Sequence, residues 1–240
     1  MRRAGIGVGA LLVAMLLNPA QAGEFRDLFN GKALEGWVVE GPGKDKQGRP
    51  MWRVEDGRIV CLGRAYGFLR YDREAFGDFV LRVEYRFAPP SQDNPAGKGN
   101  SGIGVRTGPF EPKRSRETRP SYASYEIQLL DDAGKKPDVH GSGSLYRYKA
   151  PTANPVHPAP EWNTVEIACV GPRIRVTING QTVQDVDQTR LPDMTDKKPD
   201  TAPVPAHKPL RGSICLQSHS GQVEFRKVQI RPIAAGTSRD

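Results

Sequence analysis

A two-residue alternation recurs along this chain, and it leaves few folds open. In "FVLRVEYRF", Phe79, Leu81, Val83, Tyr85 and Phe87 fall on one side, while Arg82, Glu84 and Arg86 fall on the other. That period belongs to a strand with one buried face. "NSGIGVRTG" repeats it, with Ile103 and Val105 turned inward and Gly102, Gly104 and Arg106 turned outward. "SYEIQLLDD" repeats it again: Tyr125, Ile127 and Leu129 alternate with Glu126 and Gln128. "WNTVEIACV", "RIRVTINGQTV", "GSICLQSHSG" and "VEFRKVQIRPI" continue the series. Asp56-Gly57 and Asn179-Gly180 mark hairpin turns, because both residues of such a turn need positive φ. No segment has the three-to-four residue period of an amphipathic helix, although a short helical turn is expected near Arg73 to Phe76. Many short one-faced strands predict an all-β fold, two antiparallel sheets packed as a β-sandwich.

The first residues lie outside that pattern. Arg2 and Arg3, the apolar run Ala10 to Leu17, and Ala20-Gln21-Ala22 have the layout of a signal peptide over 1–22, cleaved after Ala22. The apolar run is too short to span a bilayer, and no cysteine follows the cleavage site to carry a lipid. The chain is therefore expected to be periplasmic or secreted, with a single domain over 23–233 and a disordered tail over 234–240. The stretches Pro109 to Pro120 and Pro192 to Pro209 are expected to be long surface loops.

The formal charge of +8 includes Arg2 and Arg3, and the rest is scattered, with a local peak at Lys113-Arg114-Ser115-Arg116. Without aromatic residues interleaved among the basic ones, that distribution does not describe a nucleic-acid surface. Cys61, Cys169 and Cys215 all sit in strand-like apolar runs. They read either as buried free thiols or as one bridge plus one free thiol. Their spacing is not that of a metal site.

The polar sides of four strands carry chemistry. Glu126 shares a face with Gln128, Gln217 with His219; Arg106 and Glu84 each lie opposite an apolar face. If these strands join one sheet, its outer face is a polar hollow. Carboxylates, amides and Arg in such a hollow contact sugar hydroxyls, and aromatic rings stack on pyranose faces. The Trp residues, Trp37, Trp52 and Trp162, are expected in packing instead. "GNSGIGVRTG" does not have dinucleotide-loop spacing and no helix follows it. Its glycines leave room for a ligand or relax a curved strand. No Gly-x-Ser-x-Gly elbow is present.

"FRDLFNGKALEGW", "NSGIGVR", "SYEIQLLDD", "GSLY", "APEWNTVEI", "NGQTV" and "GSICLQSH", with "VEFRKVQI" after it, occur in the order found in the 3-keto-disaccharide hydrolase family. The chain resembles that family from Phe25 to Pro232. The resemblance implies a concanavalin A-like, laminarinase-like jelly roll. It also implies an exported enzyme that cleaves 3-keto-glycosides or 3-keto-disaccharides. A C3 ketone acidifies the C2 hydrogen; a base removes it, the C1 substituent leaves, and water adds. Such chemistry needs a base near C2, positive charge or donors at the enolate, and an acid near the glycosidic oxygen.

Against those roles, Glu126 is the expected base, His219 a base, acid or ligand, and Arg106 the charge at the enolate. Each also has a structural reading: a hydroxyl acceptor, a hydrogen-bonded sheet histidine and a cross-strand ion pair. Gln128, Gln217, Asn100, Glu84, Tyr146 and Asp131 are candidates for substrate contact. Asn100 and Asp131 also suit turns, and Glu84 also suits a salt-bridged face beside Arg82 and Arg86. No spacing motif demands a cofactor; a divalent metal such as Ca²⁺ held by Glu126, His219 and Asp131 is the alternative holder of the enolate. The expected partner is a carbohydrate substrate, with no nucleic acid and no membrane span. Two rival readings stay open: a lectin-like sugar-binding module without catalysis, and a laminarinase-type endo-glycosidase. The second requires two carboxylates about 5 Å apart, and Gln128 stands where the shared face would need the second one.

Overall fold

The computed structural model describes residues 23–92, 94–108, 124–193 and 207–234. The expected signal peptide at 1–22, the basic run at 113–116 and the tail from 235 onward lie outside the described residues. Among the described residues, thirteen strands form two antiparallel sheets. The larger contains β1 (Arg26–Asp27), β3 (Trp52–Glu55), β4 (Arg58–Cys61), β6 (Phe79–Phe87), β9 (Asn163–Val170), β10 (Arg173–Ile178), β11 (Gln181–Asp187) and β13 (Val223–Pro232). The smaller contains β2 (Trp37–Glu40), β5 (Gly67–Tyr71), β7 (Asn100–Thr107), β8 (Tyr125–Leu130) and β12 (Ser213–Ser218). Their orders are β11-β10-β9-β6-β13-β4-β3 and β2-β5-β12-β7-β8. Beyond a register shift between Arg226 and Gln229, β13 exchanges β4 for β1 as its neighbour. The arrangement is a jelly-roll sandwich.

Alternation places the core between the sheets. Phe79, Leu81, Val83, Tyr85 and Phe87 of β6 are buried there, with Val165, Ile167 and Cys169 of β9 beside them. Ile103 and Val105, Tyr125, Ile127 and Leu129, and Ile214 and Leu216 close the core from the smaller sheet. Each such side chain contributes roughly 1.5–3 kcal/mol by leaving water. The hairpin turns form as expected: φ is 44° at Asp56 and 74° at Gly57, and 47° at Asn179 and 83° at Gly180. These paired positive values match the right-handed twist of the strands.

Two local expectations change. No helical turn forms at 73–76; Phe76 is instead held by a bridge to Gly212. A 3-10 turn follows β11 at Gln188–Arg190, where the Asp187 side chain accepts from the Thr189 amide. Trp37 and Trp52 join the core as expected. Trp162 lies at the polar surface, with Arg226 and Arg86 at 4.0 and 4.6 Å from its ring centroid. The three cysteines are free and buried, which selects between the two readings left open by their spacing.

Candidate functional site

The outer face of the smaller sheet carries two parallel rows of side chains. Cross-strand pairing sets the first as Glu126, Gly104, Cys215, Arg70 and Val38. The second runs Gln128, Gly102, Gln217, Phe68 and Glu40; Gln217 falls beside Gly102 because Leu216 pairs with Ile103. Neighbouring strands are about 4.8 Å apart, so Glu126 and Arg70 face each other across two small residues. Glycine in the middle of a strand weakens it, and here it opens the floor. A Cβ on Gly102 would stand 2.8 Å from Glu126 Cγ and 3.0 Å from Cδ. The Glu126 side chain leans over that glycine.

Glu126, Gln128 and Gln217 are only 2%, 2% and 4% exposed, so they line a recess rather than a solvated face. Gln217 Nε2 donates to Glu126 Oε1, while Gln217 Oε1 is buried with no hydrogen-bond partner. A buried acceptor left open costs about 1–3 kcal/mol, and at a binding site a ligand hydroxyl satisfies it. Gln128 Nε2 donates to Asn100 Oδ1 at 3.2 Å. Asn100 in turn exchanges backbone hydrogen bonds with Ser220. Residues 143–146 run along the free edge of β8: the Tyr146 amide donates to the Glu126 carbonyl, and the Gln128 amide to the Ser144 carbonyl. This puts Tyr146 beside Glu126 at the rim, its ring 5.2 Å from that of His140.

Of the residues picked out from sequence, Glu126, Gln128, Gln217 and Asn100 come together, and Tyr146 stands next to them. His219 is on the same face but exposed at its rim, its ring edge-on to Tyr66 at 5.7 Å. Three others are placed elsewhere. Arg106 has φ 55°, and the β7–β12 register shifts beside it. That bulge breaks the alternation and turns the side chain into the end of the sandwich. There it donates to Gly77 O (3.0 Å), Gly171 O (2.7 Å) and Asp78 Oδ1 (3.2 Å), at 1% exposure. It is a structural clamp, not the enolate cation. Glu84 belongs to the larger sheet, paired with Arg226 (2.5 Å) and Lys227 (2.7 Å). These cations hold its carboxyl below the usual range against the opposing effect of burial, which is the largest influence on it. Asp131 accepts from the Gly97 amide at 2.6 Å, which is turn chemistry.

The expected metal trio is therefore not assembled. Glu126 is in the recess, His219 at its rim, and Asp131 tied to a loop. Among the described residues, no group of three or more His, Cys, Asp or Glu converges as a metal site needs. The described residues do not fit a Ca²⁺ cage.

Several residues of the face were missed in the sequence. Arg70 is its buried cation. Its Nε donates to Glu40 Oε1 at 2.8 Å and its Nη1 to Asp72, while Nη2 has no hydrogen bond among the described residues. Phe68 and Tyr66 add rings, edge-on to each other at 5.3 Å. The signal was present in "GFLRY", where Phe68 and Arg70 alternate with Leu69 and Tyr71. Its polar content is so low that it does not stand out as a functional strand. Cys215 lies in the floor between the two charges. Burial pushes its thiol up to about 12; Thr107 and Arg70 pull against this, while Glu40 and Glu126 reinforce it.

A family model described as "3-keto-alpha-glucoside-1,2-lyase-like domain" matches residues 24–231. Two solved structures from Parabacteroides distasonis ATCC 8503, each described provisionally as a glycosyl hydrolase, share the fold. One is 24% identical with a TM-score of 0.68, covering 88% of this chain and 100% of its own. The other is 23% identical with a TM-score of 0.66, covering 87% of this chain and 94% of its own. No curated protein matches the chain.

Proposed function

Because the chain belongs to the 3-keto-alpha-glucoside-1,2-lyase-like family, we propose that the recess around Glu126 cleaves 3-keto-glycosides by elimination and hydration. One observation carries the reading: a buried carboxylate, held by Gln217 over a glycine floor, faces a buried arginine across one sheet. In this reading Glu126 takes the C2 proton of the 3-keto sugar. The C–H electrons move into a C2–C3 double bond and the C3 oxygen becomes an enolate. As the ketone re-forms, that pair becomes the C1–C2 double bond and the glycosidic oxygen departs with the C1–O pair, taking up the proton that Glu126 removed. Water then adds its hydroxyl to C1 and a proton to C2, which leaves 3-keto-glucose and the free aglycone. Arg70 Nη2 is the charge available to the enolate oxygen, the role expected of Arg106 from sequence. Gln217 Oε1 accepts a sugar hydroxyl. Preorganised charge of this kind acts most strongly where water is excluded. Export to the periplasm or the medium, implied by residues 1–22, is part of the same proposal.

A binding module without catalysis is the second reading, and the exposure of His219 favours it, since an imidazole at the solvent-exposed rim does not sit deep in the recess near a leaving oxygen. Incubation of the purified protein with 3-keto-trehalose or a 3-keto-glucoside, with and without EDTA, separates the two. Release of 3-keto-glucose that disappears in Glu126→Gln supports the enzyme. Saturable binding with no product identifies the module, and turnover of an unoxidised β-glucan identifies a conventional glycosidase.

A further inference from the structure

A second cavity, of about 470 Å³, opens among loops at one end of the sandwich. That size is within the range of small-ligand sites. Arg49, Arg53 and Arg64 line it, with Asn94 and Gln222 beside them and Leu62 as part of its apolar wall. No described residue lining it is a carboxylate. Carboxylates stand behind two of the arginines and aim them. Arg49 Nε donates to Asp45 Oδ2 at 2.7 Å, which leaves both terminal nitrogens without a partner among the described residues. Arg53 engages Glu55 through Nε and Nη2, which leaves Nη1. A guanidinium pinned along one edge presents its other nitrogens in a fixed plane, the geometry that recognises a planar or tetrahedral oxyanion.

The wall is braced. Asn94 Nδ2 donates to the Ala88 carbonyl at 2.9 Å, and Asn94 Oδ1 accepts from the Gln222 amide at 2.8 Å. The cavity also adjoins the recess along the chain. Gln222 is three residues beyond His219, and Arg64 is two before Tyr66, whose ring meets that of His219. A saccharide seated at Glu126 and passing over the Tyr66–His219 rim therefore heads toward the arginines.

We propose that this cavity is a second saccharide subsite, selective for a sugar unit bearing an oxyanion such as a carboxylate or a sulfate ester. The inference rests on the carbohydrate reading of the recess, but its test uses binding alone. A protein inactive on 3-keto-glycosides still binds at the arginines, and a failed isotherm leaves turnover untouched. Calorimetric titrations of the full chain with glucuronate, glucose 6-sulfate, inorganic sulfate and methyl glucoside at constant ionic strength separate sugar acid from free ion. The charged sugars bind; methyl glucoside and inorganic sulfate bind at least tenfold more weakly. The Arg53→Gln/Arg64→Gln protein loses at least tenfold for the charged sugars, with an unchanged melting temperature. In amide NMR spectra, the side-chain signals of Asn94 and Gln222 move on titration of the unaltered protein. Equal binding of methyl glucoside, equal binding of inorganic sulfate, or full retention of affinity in the double variant overturns the proposal. Should the double variant melt early, unmoved Asn94 and Gln222 signals in the unaltered protein overturn it equally.

Discussion

Glu126 and Gln217 lie 91 residues apart in the chain and share a hydrogen bond on one face of one sheet. The amide fixes which way the carboxylate points; the glycine beneath lets it lie flat. If Glu126 is the base, removing its charge at constant shape loses the proton transfer. Glu126→Gln is expected to lower kcat on a 3-keto-glucoside by about 10²–10⁴-fold, with little change in melting temperature. Undiminished turnover removes Glu126 from the reaction.

Gly102→Ala tests the same geometry without touching a reacting group. The added methyl meets Glu126 Cγ at 2.8 Å, and the carboxylate must move. Misplacement by about 1 Å costs on the order of 100-fold in rate. Steady-state kinetics are expected to show that loss in kcat, while circular dichroism shows a folded sheet. Full activity in this variant means the carboxylate has no fixed place in the reaction.

Arg106→Met tests a part of the fold that sequence parity assigned to catalysis. The change leaves the Gly77 and Gly171 carbonyls without their donor and Asp78 without its cation. A loss of about 2–3 kcal/mol in urea unfolding is expected. Turnover per folded molecule is expected to stay within about twofold, well under 1 kcal/mol of barrier. A stable but inactive variant contradicts the clamp.

Lys208 gives a pH dependence with a definite sign. It is 3% exposed, donates to the Ser124 carbonyl, and has its Nζ 4.6 and 4.3 Å from the ring centroids of Tyr125 and Tyr148. Burial draws its ammonium down to about 7, while the carbonyl and rings favour the cation. Between that value and the unfolded value of about 10.4, the unfolded chain holds the extra proton. Lys208 therefore adds stability as pH rises from about 7 to 10, by at most about 1.4 kcal/mol per unit. Chemical denaturation across that range is expected to show the slope, and Lys208→Met to flatten it. Identical slopes in the two proteins contradict the assignment.

The thiols should be inert in the native state. Burial pushes Cys61 up to about 11 and Cys169 and Cys215 up to about 12, so at pH 8 little thiolate forms. A colorimetric thiol reagent is expected to find almost none until denaturant is added, and then three per chain.

The strands, their inward residues and the two Asn/Asp-Gly hairpins were legible from the chain alone. Alternation and turn chemistry are local: a strand backbone sends successive side chains to opposite faces wherever it lies. The same reasoning grouped Glu126 with Gln128, because they share a strand. It failed for Arg106, where one residue at positive φ inverts the parity that alternation assumes. It failed for Glu84, because strand order, set by long-range pairing, puts β6 in the other sheet. It passed over Arg70, whose importance comes only from β5 lying next to β12. Sequence determined which side chains leave each strand together. Tertiary structure alone decided which strands are neighbours, and so which charges share a recess, because pairing between distant segments is set by packing of the whole core rather than by any local pattern.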